Sequence, residues 1–401
     1  MSYGSVPHPG LGSGGLSGAR SRPPDYLEYL WYLYLFYWML GPVWGIDIPF
    51  VGGVIWMLLP IACFLELGNK LFQMSMPVAW GICTGVVTIG MQVAFYNWEG
   101  AVARKELIDF AYWISLLITV QALSLRPGFL RRFGLVACAI GVACLPYIQM
   151  RKVDGVMRAW AAGTLISTPN VLGMWFGFCT VYFVFQGFLA RKMVSRVANW
   201  CAAVGCFYVV LIAVSRAPLL AVLVACLVGF RSVLKRSFVP LLTFVIFVYI
   251  AFLLGVFDEW LDYYFIRGTE DSGRGRLWPA ALERISNSPW VGFGMDHVAI
   301  HTASGRLVNP HNPLLHLMLA VGALPVICFL GYLRRAFAGA FRLMQNGQGE
   351  EATLLPPLVV FALLEVMNLD LAFMLPWAVV VFGLAAQVTH GVSHERPIAP
   401  A

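Results

Sequence analysis

Charged residues are scarce in this sequence, which excludes a soluble domain of ordinary composition. Only 12% of the 401 residues are Asp, Glu, Lys or Arg, and 60% are hydrophobic, whereas an ordinary soluble domain carries about 25% charged residues. The apolar residues form repeated runs of about 20, the length that crosses a bilayer core. Segments of about 10 residues that alternate apolar and polar side chains, as in a membrane barrel, are also missing. We therefore predict an all-α polytopic membrane protein.

Paired cysteines and recognisable metal motifs are missing as well. The nine cysteines lie in apolar runs and no CxxC occurs, so structural disulfides and a cysteine metal site are not expected. His297 and His301 stand four apart beside Asp296, a spacing that could bind zinc on a helix. No HExxH motif is formed there, however, and the surrounding glycines argue against a long helix. We predict no metal site and no cofactor.

The apolar runs predict about twelve transmembrane helices. The run from 197 to 230 is continuous, yet as one helix it would be about 50 Å long, too long for a bilayer core of about 30 Å. We therefore place a turn at Arg216 and Pro218. The predicted spans lie near residues 27–45, 49–67, 75–96, 108–125, 133–150, 170–190, 197–214, 217–230, 238–256, 313–333, 354–370 and 372–389.

The distribution of Lys and Arg predicts the orientation of these spans. Most basic residues fall on alternate connections, which should face the cytoplasm together with both termini. Arg216 and the polar loop 257–312 then lie on the outer face, which is the periplasm in a two-membrane envelope. We expect one membrane domain over residues 25–390, a disordered tail over 1–24 and a cytoplasmic tail over 391–401. Because this bias explains most of the net charge of +7, no nucleic-acid partner is implied.

Arginines on the outer face are candidates for binding an anion. Arg216 lies where two apolar helices meet, and Arg274 and Arg276 lie in a glycine-rich turn. The planar guanidinium matches phosphate oxygens in a bidentate way, and neighbouring glycines let the backbone approach a ligand closely. Two alternatives stay open: Arg216 reaches lipid phosphates at the interface, and the other two arginines are simply solvated.

His311 and Asn312 stand between two prolines just before an apolar span. An imidazole at the outer membrane surface can act as a general base near neutral pH, and an adjacent Asn can orient a substrate hydroxyl. A capping or packing role is the alternative for this pair. His316, one turn further on, is expected to form a hydrogen bond between helices.

Two further polar residues lie in or beside apolar spans. Glu365 is an intramembrane acid, which marks either a functional site or a partner for an arginine at a helix junction. Asn170 follows Thr168 and Pro169 at the predicted start of a span, where a capping role is expected. Contact with a substrate is a second role open to Asn170.

Several of these motifs occur in an order that resembles the O-antigen ligase and O-antigen polymerase superfamily. The resemblance rests on residues 271–278 (DSGRGRLW), 287–294 (NSPWVGFG) and 310–315 (PHNPLL), with Ser215-Arg216 and 168–170 (TPN) upstream. It implies a GT-C-like membrane glycosyltransferase that takes a glycan from undecaprenyl pyrophosphate at the outer face of the bacterial inner membrane. The resemblance further implies that the enzyme transfers this glycan to an acceptor sugar and needs no metal ion for the reaction.

The resemblance also implies roles for individual residues. Arg216, together with Arg274 and Arg276, would hold the pyrophosphate in place of a cation. Arg267 is a weaker candidate for the same task. His311 would accept the proton of the acceptor hydroxyl as its oxygen attacks and inverts the anomeric carbon. The supporting residues are Asn312, Asn170 and Glu365.

The resemblance leaves the acceptor open. A ligase would transfer O-antigen to lipid A-core, a polymerase would extend O-antigen, capsule or exopolysaccharide, and a related oligosaccharyltransferase would glycosylate protein. Many family members carry a Tyr after the His-Asn pair where this chain has Pro313, a difference that bears on acceptor recognition. A flippase or transporter of lipid-linked sugars is the alternative from another class. Transporters place binding charges near the membrane midplane, whereas here the polar groups gather at one face, which favours an enzyme.

Overall fold

A computed structural model describes most of the chain. It covers residues 26–41, 43, 59–63, 65, 77–124, 126, 128–153, 156–164, 167–234, 242, 246, 249–250, 253–255, 258, 274–301, 307–347, 349–369 and 376–388. The predicted tails and the first part of the outer loop, with Arg267, lie outside the described residues. Most of the predicted spans 49–67 and 238–256 lie outside them too.

The described residues are mostly helical. In chain order the α-helices are α1 (Tyr26–Leu40), α2 (Ala79–Phe95), α3 (Ala101–Leu123), α4 (Phe129–Cys144), α5 (Pro169–Leu189), α6 (Met193–Ile212), α7 (Arg216–Leu234), α8 (Arg274–Asn287), α9 (Pro313–Val321), α10 (Ala323–Asn346), α11 (Glu350–Val366) and α12 (Pro376–Val388). Within the part of the chain that the structure describes, α3, α5, α6, α10 and α4 with its following turn are long and apolar enough to cross a membrane. The chain is therefore a largely helical membrane protein, and the total of twelve spans stays a prediction.

Two short antiparallel hairpins, which the sequence did not predict, interrupt the helices. Their strands are β1 (Ile148–Val153) with β2 (Val156–Ala161), and β3 (Ile300–His301) with β4 (Leu307–Val308). The predicted span 133–150 corresponds to the candidate membrane span Phe129–Tyr147, in which α4 stops at Cys144 and a 3-10 turn containing Pro146 follows. Proline lacks the amide hydrogen that continues a helix. The chain enters β1 directly after this turn.

The predicted span 313–333 needs a correction, because the structure breaks it at Gly322. Helices α9 and α10 meet there. Gly322 has a φ of 87°, a backbone conformation that residues with a side chain rarely adopt. A side chain at this position would also meet the carbonyl of Trp290. The Ala323 amide donates to the Pro289 carbonyl at 3.0 Å. The loop before α9 therefore packs against the break and fixes it.

Small residues let three helices, α5, α7 and α11, pack closely together. A side chain added at Gly177 of α5 would meet Phe361 of α11 and Val222 of α7. One turn closer to the start of α5, a side chain at Gly173 would meet Pro218 of α7. Helix α11 runs antiparallel to α5, since its first residue bonds to a residue near the end of α5. The starts of α5 and α7 and the end of α11 therefore lie at one end of the bundle.

Candidate active site

The turn that leads into α7 has an unusual backbone conformation. Val214 has a φ of 46°, in the left-handed region that a β-branched residue rarely adopts. The next residue, Ser215, is buried, and its Oγ donates to Asn170 Oδ1 at 3.0 Å. Arg216 then begins α7 with an exposed side chain. The predicted break between the two apolar helices at Arg216 is confirmed.

Arg158 of β2 holds this turn from the hairpin, a contact that the sequence did not predict. Its Nε donates to the Ala213 carbonyl at 3.2 Å, and its Nη2 donates to Asn170 Oδ1 at 3.2 Å. Arg158 is buried, and hydrogen bonds from a charged donor are stronger than neutral ones. In the sequence, only the apolar residues around Arg158 in the strand Val156–Ala161 (VMRAWA) indicate that this arginine is buried.

Asn170 joins the hairpin to the turn, so its contacts differ from the predicted helix cap. The residue that caps α5 is Thr168, whose Oγ1 accepts from the Val171 amide at 3.3 Å. Asn170 Oδ1 instead accepts from both Arg158 and Ser215. Contact of Asn170 with a substrate stays a prediction.

His311 lies in a second turn with left-handed backbone. Its φ is 48° and its side chain is exposed; such conformations in non-glycine residues cluster at functional sites. Asn312 caps α9, because its Oδ1 accepts from the amides of Leu314 at 3.0 Å and Leu315 at 3.2 Å. Its Nδ2 donates to the Met367 carbonyl at 3.4 Å. The capping alternative for Asn312 is confirmed, and the His311 turn is tied to the end of α11.

Arg274 and Arg276 begin helix α8, so the predicted glycine-rich turn was wrong. The helix is amphipathic, with buried side chains four residues apart at Leu277, Ala281 and Ile285. Arg276 is exposed in its first turn, while the side chain of Arg274 lies outside the described residues. Trp278 Nε1 donates to the Pro310 carbonyl at 3.0 Å. The start of α8 therefore lies beside the His311 turn, since Pro310 immediately precedes His311.

Glu365 is fully buried in the last turn of α11. It therefore lies at the end of the bundle where α5 and α7 begin. Two residues later, the carbonyl of Met367 accepts the hydrogen bond from Asn312. Helix α11 packs against α7, so the turn before Arg216 and the turn of His311 lie at the same end of the bundle.

Asp296 and His316 have structural contacts. Asp296 Oδ1 accepts from the Ala103 amide at 3.1 Å, at the start of α3. His316 is buried, and its Nε2 lies 3.2 Å from Glu106 Oε2 of α3, which confirms the predicted hydrogen bond between helices. The side chain of His301 lies outside the described residues. Where the structure describes the chain, no three His, Cys, Asp or Glu side chains are grouped to hold a metal ion.

An apolar groove of about 850 Å³ begins beside the His311 turn and runs along α10 and α11. Leu314 and Met367 line one end of it, and Phe341 lines the other. Arg334 contributes the charged side chain of the lining, which is otherwise aliphatic and aromatic. Leu314 and Met367, at the beginning of the groove, both form hydrogen bonds with the Asn312 side chain through their backbone.

Comparison with known proteins supports the predicted resemblance. A sequence model of the family described as O-antigen ligase matches residues 201–330. The similarity to the O-antigen ligase and polymerase superfamily is thereby confirmed over that region. The turns that hold Arg216 and His311 lie inside the matched region, whereas Arg158 and Asn170 lie outside it. No curated protein sequence matches the chain.

Proposed function

We propose that this membrane protein is a glycosyltransferase of the O-antigen ligase type. It would move a glycan from undecaprenyl pyrophosphate to lipid A-core at the periplasmic face of the bacterial inner membrane. The observation that carries the proposal is the pair of left-handed turns at Val214 and His311, which lie at the same end of the helix bundle. Both turns fall in the region that is similar to O-antigen ligases. One turn presents a guanidinium and the other an imidazole, the two groups that transfer from a pyrophosphate requires.

Arg216 and Arg276 stabilise the departing pyrophosphate in this proposal. Each lies in the first turn of its helix, where the helix dipole also favours an anion. Negative charge grows on the pyrophosphate as its bond to the sugar breaks, and guanidinium groups bind phosphate oxygens in pairs. Arg274 and Arg267 are further candidates for the same duty.

His311 is the general base of the proposed reaction. The acceptor hydroxyl oxygen forms a bond to the anomeric carbon while its proton passes to a nitrogen of the imidazole. The bond between the anomeric carbon and the pyrophosphate oxygen breaks, and its electron pair leaves with the pyrophosphate. Attack from the face opposite the leaving group inverts the anomeric carbon. No metal ion takes part in these steps.

The supporting residues keep the two turns in place. Asn170 holds the turn before Arg216, and Asn312 holds the His311 turn against α11. Glu365 lies in the last turn of α11, two residues before Met367, whose carbonyl accepts from Asn312. The apolar groove suits the isoprenoid chain of the donor, because it begins at Leu314 and Met367, which contact Asn312, and is lined by apolar side chains.

A polymerase would use the same donor site with a growing glycan as its acceptor, so an experiment on the product must separate the two. We would delete the gene in its native host and separate the surface glycans by gel electrophoresis. Loss of a ligase leaves lipid A-core bare while polymer accumulates on the lipid carrier. Loss of a polymerase leaves single repeat units. An unchanged glycan pattern would contradict both activities.

A further inference from the structure

A second cavity lies at the opposite end of α5 from Asn170. It has a volume of about 660 Å³ and is formed by the starts of α4, α6 and α11 and the end of α5. Helix α5 has 21 residues, and at about 1.5 Å per residue it separates the two ends by about 30 Å. The cavity is therefore distinct from the proposed active site. The Lys and Arg distribution predicts that this end faces the cytoplasm.

The floor of this cavity is held by hydrogen bonds. Tyr182 donates its hydroxyl to the Arg131 carbonyl at 2.9 Å, which fixes the first turn of α4. Gln186 Nε2 donates to Glu350 Oε1 at 3.0 Å, so the carboxylate of the cavity is engaged by an amide. The cavity is thus a preformed recess between helices.

The cavity has more positive than negative charge. Arg131, Arg191 and Lys192 line it with exposed side chains, against the single carboxylate of Glu350. None of these three cations forms an ion pair with any residue that the structure describes. By contrast, Arg132, beside Arg131 in sequence, pairs with Glu28 at 2.6 Å. The three cations are therefore available to an anion.

One wall of the cavity is apolar. Leu135 and Leu189 line it, and Leu135, on the same side of α4 as Arg131 and one turn further along, is 50% exposed. Cations beside an apolar wall match the chemistry of a phospholipid, whose phosphate lies just outside its acyl chains. Basic recesses between membrane helices on the cytoplasmic side are known to bind anionic lipid headgroups.

We propose that this cavity binds the phosphate headgroup of an anionic phospholipid. Arg131, Arg191 and Lys192 contact the phosphate, and Leu135 and Leu189 contact the first carbons of an acyl chain. The apolar wall selects a lipid over free phosphate, which would leave that wall without a partner. The proposal does not depend on the transfer reaction proposed for the other face.

The test is a lipid titration of the purified full chain, read by native mass spectrometry. Phosphatidylglycerol and phosphatidylcholine with identical acyl chains are compared, and we expect one phosphatidylglycerol to bind preferentially. The double variant Arg131→Gln/Arg191→Gln should weaken that binding about 25-fold, about five-fold for each basic residue removed beside an anionic lipid. The matched variant Arg231→Gln/Arg342→Gln removes two charges near the same ends of other helices and should keep the wild-type affinity.

Three results would overturn the proposal. Equal binding of the two lipids to the wild-type chain would show that the phosphate charge is not recognised, whether or not the variant folds. An equal loss of binding in both double variants would show that the lipid responds to general surface charge. Displacement of phosphatidylglycerol by millimolar inorganic phosphate would show that the cavity takes a free anion.

Discussion

Replacement of Arg158 is the sharpest test of how the hairpin positions the candidate active site. The Arg158→Ala variant removes the donors to the Ala213 carbonyl and to Asn170 Oδ1. A hydrogen bond from a charged group contributes about 1.5–3 kcal/mol, so the two together contribute at least about 3 kcal/mol. Without them the strained turn at Val214 is free to relax, and Arg216 moves away from the position where the leaving group develops charge.

The magnitude follows from the free energy of the lost contacts. A rate falls tenfold for about 1.4 kcal/mol, so loss of about 3 kcal/mol lowers the rate of glycan transfer about 100-fold. The assay is transfer from lipid-linked glycan by the purified full chain in nanodiscs. We expect kcat to fall more than KM rises, because the guanidinium of Arg216 acts most strongly in the transition state. Arg158→Lys, which keeps the charge and one donor direction, should recover part of the rate.

Arg151 in the paired strand provides the matched control. Its guanidinium lies 5.8 Å from the Trp160 ring centroid and donates to Gln149 Oε1 at 3.3 Å, and its side chain is exposed. Arg151→Ala should retain nearly full transfer. If Arg158→Ala is folded and as active as Arg151→Ala, the hairpin does not position Arg216 and this reasoning is wrong.

Three further substitutions examine the strained and tightly packed backbone. Val214→Gly should lower thermal stability, because loss of a fully buried side chain outweighs the about 1–2 kcal/mol of strain that glycine relieves in left-handed backbone, and should slow transfer because the turn loosens; a gain in stability would contradict the packing of Val214. Gly322→Ala places a Cβ against the Trp290 carbonyl at a φ of 87° and should lower folded yield and transfer. Its control, Gly90→Ala, meets no atom within 4 Å and should stabilise the helix by about 1 kcal/mol; equal losses would refute the packing argument. Asn312→Ala should cost about 1 kcal/mol in thermal unfolding through loss of the cap, whereas Asn312→Ser should retain most of it, and identical melting of the two would exclude capping.

Local sequence patterns predicted the parts of the structure that a single local feature determines. The charge of Arg216 and the ring of Pro218 interrupt a run too long for one membrane helix, and the break lies there. His316 is a polar side chain on an apolar helix, so it had to find a polar partner in the core, and Glu106 provides it. In both cases the cost of burying a charged or polar group decides the local structure.

The features that the sequence missed depend on partners far along the chain. Arg158 binds residues 12 and 55 positions away, and Trp278 binds Pro310 32 positions away. Gly275 lowers the helix propensity of the arginine motif, yet burial of the apolar face of α8 outweighs it. A glycine such as Gly322 is compatible with many turns and with a helix. The break at Gly322 depends on the loop at Trp290 that packs against it. Hydrophobic periodicity reports burial of one segment and not which segment covers it.

The central claim is that the imidazole of His311 removes the proton of the acceptor hydroxyl. The most direct measurement is the rate of glycan transfer by the His311→Ala variant in nanodiscs, beside a His297→Ala variant at another exposed outer-loop histidine. A positioned general base contributes about 10²–10⁴-fold, so we expect His311→Ala to lose at least about 100-fold and His297→Ala to transfer at the wild-type rate. A folded His311→Ala protein that transfers glycan as fast as His297→Ala would contradict the proposed mechanism.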